Sequence, residues 1–210
     1  ILARDCLRPM MESVEEHDHS IISARLRISG RPTRVIGFYG AQENDIEGSQ
    51  KRYDILESIL DLNSGEDFIV LGDFNSKIGL DSWDEYSGMR IFGPNLCNAT
   101  TTTNGKRLLE LALDKDLCIA STMKMGRRRK PQPTFIAGDS ESTIDYILVS
   151  KSLMDRVKNV TITRGLKQID QGHSIICLKL GLRTPREDRR KKGTPPPQHM
   201  HPVKYNRQAM

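Results

Sequence analysis

Ile69-Val70-Leu71-Gly72-Asp73-Phe74-Asn75 decides how the rest of the chain reads. A short apolar strand, Phe68–Leu71, ends at a glycine, and a carboxylate and a carboxamide follow, two residues apart. Alternate residues of an extended chain share a face, so Asp73 and Asn75 are expected together at the strand's exposed end. Phosphodiester hydrolysis needs a group that orients or deprotonates water, and donors that hold a phosphate oxygen as charge builds on it. Asp73 suits the first task and Asn75 the second. The same residues also suit a polar turn after a strand, because Asp and Asn favour turns.

Upstream, Ile21–Ile28 alternates, with Ile22, Ala24, Leu26 and Ile28 opposite Ser23, Arg25 and Arg27, which predicts a half-buried strand. Gly30-Arg31-Pro32 makes a turn into a hairpin partner, Arg34–Tyr39. Ser49–Leu62 changes period, placing Tyr53, Leu56, Ile59 and Leu60 on one helical face. Downstream, a loop-rich stretch over 76–105 leads to a second helix, Lys106–Asp114. Strands are expected at Leu117–Ser121, Thr134–Ile136, Thr143–Val149, Val160–Arg164 and Ser174–Leu180, with a short helix at Lys151–Val157. Many short strands around two full helices predict a two-sheet α/β sandwich; a doubly wound parallel sheet would need regular βαβ alternation.

Two further signals carry chemistry. Asp145 stands among Ile144, Ile147, Leu148 and Val149, where a carboxylate needs a partner. His173 opens the apolar run Ile175–Leu180. A buried Asp that fixes the tautomer of a strand-end His is a recurrent catalytic pairing, although a lone His is more often structural.

Composition sets the bounds. The chain has 210 residues, enough for one substantial core, and no apolar run long enough to span a membrane. Cys6, Cys97, Cys118 and Cys177 lack metal-ligand spacing and read as reduced, mostly buried thiols of an intracellular protein. The net charge of +5 is uneven: residues 183–210 hold eight Lys or Arg against two acids, and the preceding residues 24 against 25. Residues 1–182 are therefore read as the folded domain, and 183–210 as a basic, Pro-rich tail or linker. Within the body, Arg127, Arg128, Arg129 and Lys130 form a cluster suited to phosphate contact.

The order of these motifs resembles the endonuclease/exonuclease/phosphatase superfamily, and within it the endonuclease domains of RTE-like non-LTR retrotransposons and the craniofacial development protein-like host proteins. Gly72-Asp73-Phe74-Asn75-Ser76-Lys77-Ile78-Gly79 is similar to the family's GDFNAKVG run, and Asn104-Gly105-Lys106-Arg107-Leu108-Leu109-Glu110 to its NGxRLLEF helix start. Tyr39-Gly40-Ala41 stands where the family has Tyr-Ala-Pro, and Pro133-Thr134-Phe135 where it writes Thr-Trp. The resemblance covers roughly residues 20–180. It implies that Tyr39 contacts the scissile phosphate, Asp73 positions or deprotonates water, and Asn75 stabilises the transition state. It further implies an Asp145–His173 dyad facing the phosphate, a hard divalent cation (Mg²⁺ or Mn²⁺), DNA as partner and the nucleus as site of action. A reverse transcriptase would follow in a parent element; nothing in the sequence calls for an oligomer.

The sequence also departs from that pattern. Gly172 replaces the acid of the family's Ser-Asp-His, with Asp170 two residues upstream. The metal-binding Glu of the family would precede Ile1, so the domain is expected to be truncated at its front. Glu12, Glu15 and Glu16 lie in a polar segment and are not substitutes, and Ser121 stands where the family has Asn. The reading is a Mg²⁺-dependent DNA endonuclease domain of retrotransposon origin with impaired activity. Its rivals are a catalytically dead nuclease fold that binds nucleic acid or a protein, and a phosphomonoesterase acting on a small or lipid phosphate.

Overall fold

Val35 and Ile36, Ile69 and Val70, and Ile147 and Leu148 are chain neighbours that point to opposite sides of one sheet, and each side has its own apolar layer. The computed structural model describes residues 5–123, 131–164 and 172–181. Its strands are β1 (Met11–Asp18), β2 (Ile21–Ile28), β3 (Arg31–Tyr39), β4 (Asp67–Asp73), β5 (Leu117–Ile119), β6 (Phe135–Ala137), β7 (Ser140–Ser142), β8 (Asp145–Ser150), β9 (Val157–Arg164) and β10 (Ser174–Leu180). Six of them form one sheet in the order β1-β2-β3-β4-β8-β5. β9 and β10 form a separate antiparallel pair, and β6 and β7 a small hairpin.

Helices α1 (Ile46–Leu62) and α3 (Thr103–Asp114) cover one face of the large sheet, with the single turn α2 (Trp83–Tyr86) between them in the chain. Tyr53, Leu56, Leu108 and Leu109 pack there on Ile36, Val70 and Leu148. On the other face Val157 and Val160 of β9, with Leu153, pack on Ile69, Ile147 and Val149. The expected sandwich is therefore present. β3 and β4 are parallel, joined through α1, as parallel neighbours require a crossover. All other neighbours in the large sheet are antiparallel.

Local chemistry explains the boundaries. Ser29 and Gly30 both have positive φ (51° and 81°) and close the β2–β3 hairpin between the paired residues Ile28 and Arg31. Two positive-φ residues suit the right-handed twist of a two-residue hairpin turn. β3 thus begins at Arg31 and includes Pro32, which was assigned to the turn. Asp45 caps α1 by accepting from Gly48 N at 2.9 Å, so the helix begins three residues earlier than its apolar period indicates. Thr102 caps α3 in the same way through Gly105 N.

Other differences are instructive. The segment taken as polar and irregular, 11–18, is the edge strand β1. Its acids are used by pairing: Glu12 with Arg25 and Arg27, and Glu15 with Arg34. Arg34 is buried and also bonds Glu66, Ser23 and Asn63, which explains why Ser23 is buried in a strand assigned a solvent face. Thr143–Val149 is not one strand: β7 ends at Ser142 and β8 begins at Asp145. The short helix expected at Lys151–Val157 is a 3₁₀ segment, Lys151–Arg156. Of the cysteines, Cys118 is buried, Cys97 is half-buried, and Cys177 lies exposed on the outer face of β10, against the expectation that it is buried; all three are free thiols.

Candidate active site

Strand register builds the site. Tyr39 is the pairing partner of Asp73, and Asp73 of Asp145, so one row crosses β3, β4 and β8 at the edge of the sheet. His173, just before β10, completes the row from the second sheet. Its Nδ1 lies 3.1 Å from both carboxylate oxygens of Asp145. A carboxylate only accepts, so Nδ1 is the donor. Ligand atoms of Asp73, Asp145 and His173 all lie within 4.8 Å of one another. The sequence separates the three residues widely; the sheet brings them together.

Asp73-Phe74-Asn75 is held by its middle residue. Phe74 is fully buried, with its ring centroid 4.9 Å from Phe38 and 6.0 Å from Tyr146. A Cβ on Gly72 (φ +150°) would overlap the Phe38 carbonyl, and one on Gly40 would overlap that of Phe74. Both positions need glycine for the close approach of β3 to the Asp73 loop. Asn75 does not continue the strand. Its φ is +48°, its backbone N–H donates to Asp73 Oδ1 at 2.9 Å, and its Nδ2 donates to the Gly40 carbonyl at 2.9 Å. Asp73 and Asn75 are adjacent through this tight turn rather than through strand alternation, which corrects the period-two expectation. The turn reading of the sequence is realised by these residues.

Electrostatics follow from burial. The Asp73 carboxyl is pushed above the usual Asp range by desolvation and by the neighbouring Asp145 charge, with the Asn75 N–H opposing. Asp145 is raised as well, chiefly by desolvation, against the hydrogen bond from Thr134 and the attraction of His173. Two desolvated carboxylates in one row form an oxygen-rich, electron-rich pocket suited to a hard divalent cation. Arg52 of α1 flanks the row, donating to the Tyr39 carbonyl at 3.0 Å with its guanidinium 5.6 Å from the Tyr39 ring centroid. Tyr39 is half exposed and open to a ligand.

The departures noted in the sequence have structural counterparts. Gly172 has φ +86°, and a Cβ there would lie 2.5 Å from the Ile136 carbonyl oxygen and 3.1 Å from the Phe135 ring. The backbone itself is shaped for glycine. Ser121 is buried and its Oγ accepts from Ile147 N, so it braces β8 instead of facing the row. Glu12, Glu15 and Glu16 belong to β1, two strands away from Tyr39. Arg127, Arg128, Arg129 and Lys130, together with Asp170, lie outside the described residues.

Several supports were not singled out from sequence. Buried Asn98 donates to the Ile78 and Thr143 carbonyls and accepts from Thr143 N, tying the Asn75 loop to the entry of β8. Buried Asn104 donates to the Ala41 carbonyl and accepts from Ser49 Oγ. Gln42 Nε2 donates to Asn75 Oδ1 at 3.2 Å. Nothing in the local sequence marks the burial of Asn98 and Asn104 or the reach of Gln42 to Asn75.

Comparison with known proteins agrees with this fold. The family model described as endonuclease-reverse transcriptase matches residues 33–167. No curated protein matches by sequence. Among solved structures, the endonuclease domain of TRAS1, a telomere-specific non-LTR retrotransposon, superposes with a TM-score of 0.57 at 14% identity, covering 83% of this chain and 70% of that one. A 3′-5′ exonuclease, NExo, from Neisseria meningitidis gives 0.60 at 15% identity, covering 81% and 72%. The AP endonuclease LMAP from Leishmania major gives 0.53 at 11%, covering 80% and 56%. At such identities the structural likeness speaks for the fold alone, whereas the family match spans more than half of the chain. The chain belongs to the endonuclease-reverse transcriptase family and carries an endonuclease/exonuclease/phosphatase fold close to that of retrotransposon endonucleases.

Proposed function

We propose that the row Tyr39–Asp73–Asp145–His173 hydrolyses a DNA phosphodiester with a divalent cation, and that turnover is reduced by the glycine at position 172. The observation that carries this reading is the convergence of Asp73, Asp145 and His173 within 4.8 Å at the sheet edge. Asp73 and Asp145 would hold Mg²⁺ or Mn²⁺, which supplies positive charge to the phosphate and the leaving oxygen. Asp73 orients or deprotonates the attacking water. Asn75 keeps one amide hydrogen beyond its bond to Gly40 and can donate it to a phosphate oxygen. Asp145 holds His173 with Nδ1 protonated, leaving Nε2 for the phosphate. Tyr39, with Arg52 beside it, contacts the same group. DNA as the substrate is favoured by the family and by the neighbours, whose names describe nucleases.

Gly172 takes one acid from the vicinity of the cation. Losing one preorganised donor costs on the order of a hundredfold or more in other hydrolases, so slow turnover is expected. The test is incubation of supercoiled plasmid with Mg²⁺, with Mn²⁺ and with chelator, followed by labelling of the nicked ends. Slow nicking that leaves a 3′-hydroxyl and stops with chelator is the expected result. Nicking that persists in chelator would overturn the role of the cation. DNA retention without nicking would favour the binding-only alternative.

A further inference from the structure

Thr134 is fully buried, and its hydrogen bonds reach Asp145 and Ser174, the residue that follows His173. Its Oγ1 accepts from Ile144 N at 3.0 Å and from Asp145 N at 3.1 Å, two successive N–H groups at the start of β8. A hydroxyl oxygen has two lone pairs and one hydrogen. Both lone pairs are taken, so the hydrogen remains to be donated, and a bond from the Thr134 side chain is among the influences that lower the Asp145 pKa against its desolvation. The main chain of the same residue faces the other way. The Thr134 carbonyl accepts from Ser174 N at 2.6 Å, and Pro133 O accepts from Ser174 Oγ. Ile136 N donates to Gly172 O at 2.8 Å, and Phe135 pairs with His173 in an isolated bridge with ring centroids 4.7 Å apart. Segment 133–136 therefore grips 172–174 on one side and the origin of β8 on the other.

We infer that Thr134 is a positioning residue that sets the Asp145–His173 contact. The inference rests on the proposed role of that dyad, but not on the chain being active. Asp145 and His173 begin strands of two different sheets, and β8 and β10 are not paired with each other. Besides the apolar packing of β10 on β8, a third segment is hydrogen-bonded to both strand starts. Threonine is required for its hydroxyl: valine has the same shape but neither accepts the two N–H groups nor donates to the carboxylate. Phe135 packs against the imidazole ring at a tilt of 51°, while Thr134 fixes the start of the strand that carries its acid.

The test compares Thr134→Val and Thr134→Ser in the full chain. A histidine Nδ1 proton held by a carboxylate gives a far-downfield proton resonance. That signal is expected in the unmodified protein and in Thr134→Ser, and is expected to be lost in Thr134→Val. Where nicking is measurable, Thr134→Val should lower kcat by about 10- to 100-fold with little change in KM, the range typical of residues that orient a site's ligands, and Thr134→Ser should restore it. A folded Thr134→Val with the unmodified signal and kcat would overturn the inference. Signal loss in Thr134→Val alongside an unmodified chain that never nicks would leave the inference standing and overturn the proposed reaction. Should Thr134→Val fail to fold, the unmodified protein decides. A buried hydroxyl donated to a carboxylate exchanges slowly, so the Thr134 Cβ resonance should split in mixed light and heavy water; a single averaged line would refute the inference.

Discussion

Restoring the family's acid at position 172 is the obvious repair from sequence, and the structure predicts that it fails. Gly172 sits at φ +86°, where an L residue is strained by about 1–2 kcal/mol. A Cβ would also lie 2.5 Å from the Ile136 carbonyl oxygen, which is backbone and cannot step aside alone. The adjacent hydrogen bond from Ile136 N to Gly172 O, worth roughly 1 kcal/mol net, is then strained or lost. Together Gly172→Asp should cost about 2–3 kcal/mol. At roughly 2–4 °C per kcal/mol for a domain of this size, the melting temperature should fall by about 4–12 °C. Since 172–174 also holds His173, nicking should not rise. The assay is thermal unfolding by circular dichroism, beside Gly172→Ala, which carries the same Cβ without the charge and should lose a similar amount. A Gly172→Asp protein as stable as the parent, with increased nicking, would refute this reasoning.

Three other outcomes follow from the same coordinates. Gly72→Ala must separate β3 from the Asp73 loop, since its Cβ overlaps the Phe38 carbonyl, and should destabilise by several kcal/mol or prevent folding, read from the denaturation midpoint. Asn98→Ala removes three hydrogen bonds at a buried position and should cost about 1–3 kcal/mol; an unchanged midpoint would show that water replaces them. Asp73 and Asp145 have folded pKa values raised above their unfolded ones, so their contribution to stability is fully present below the unfolded Asp value, about pH 4, and is lost as pH rises through the folded values. In chelator, Asp73→Asn should therefore melt higher than the parent at neutral pH, and the gap should close on acidification toward about pH 4; a gap that widens on acidification would contradict the sign.

Much of this was legible because periodicity and turn chemistry are local. β2, β10 and the helix faces of Tyr53, Leu56, Leu108 and Leu109 followed from apolar spacing, Asp73 and His173 stood out at strand ends, and Asp145 stood out as a carboxylate among apolar neighbours. Local signals failed where a residue's state is set by distant partners. β1 is written in acids that are neutralised across strands by Arg25, Arg27 and Arg34, so its period carries little hydrophobic contrast. Asn98 looks like an ordinary loop residue until the sheet closes around it, and nothing local marks the hydroxyl of Thr134 as a buried acceptor. Asn75 shows the limit of strand alternation: its positive φ comes from the close approach of Gly40 and the burial of Phe74, which no spacing rule encodes.

In the proposed reaction the row Tyr39–Asp73–Asp145–His173 carries a cation-dependent cleavage. It is tested most directly by single-turnover nicking of supercoiled plasmid in Mg²⁺ by the parent chain, Asp73→Asn and His173→Ala, each confirmed as folded. Slow nicking by the parent is expected, falling by about a hundredfold or more in both variants. Equal nicking by all three folded proteins would contradict it.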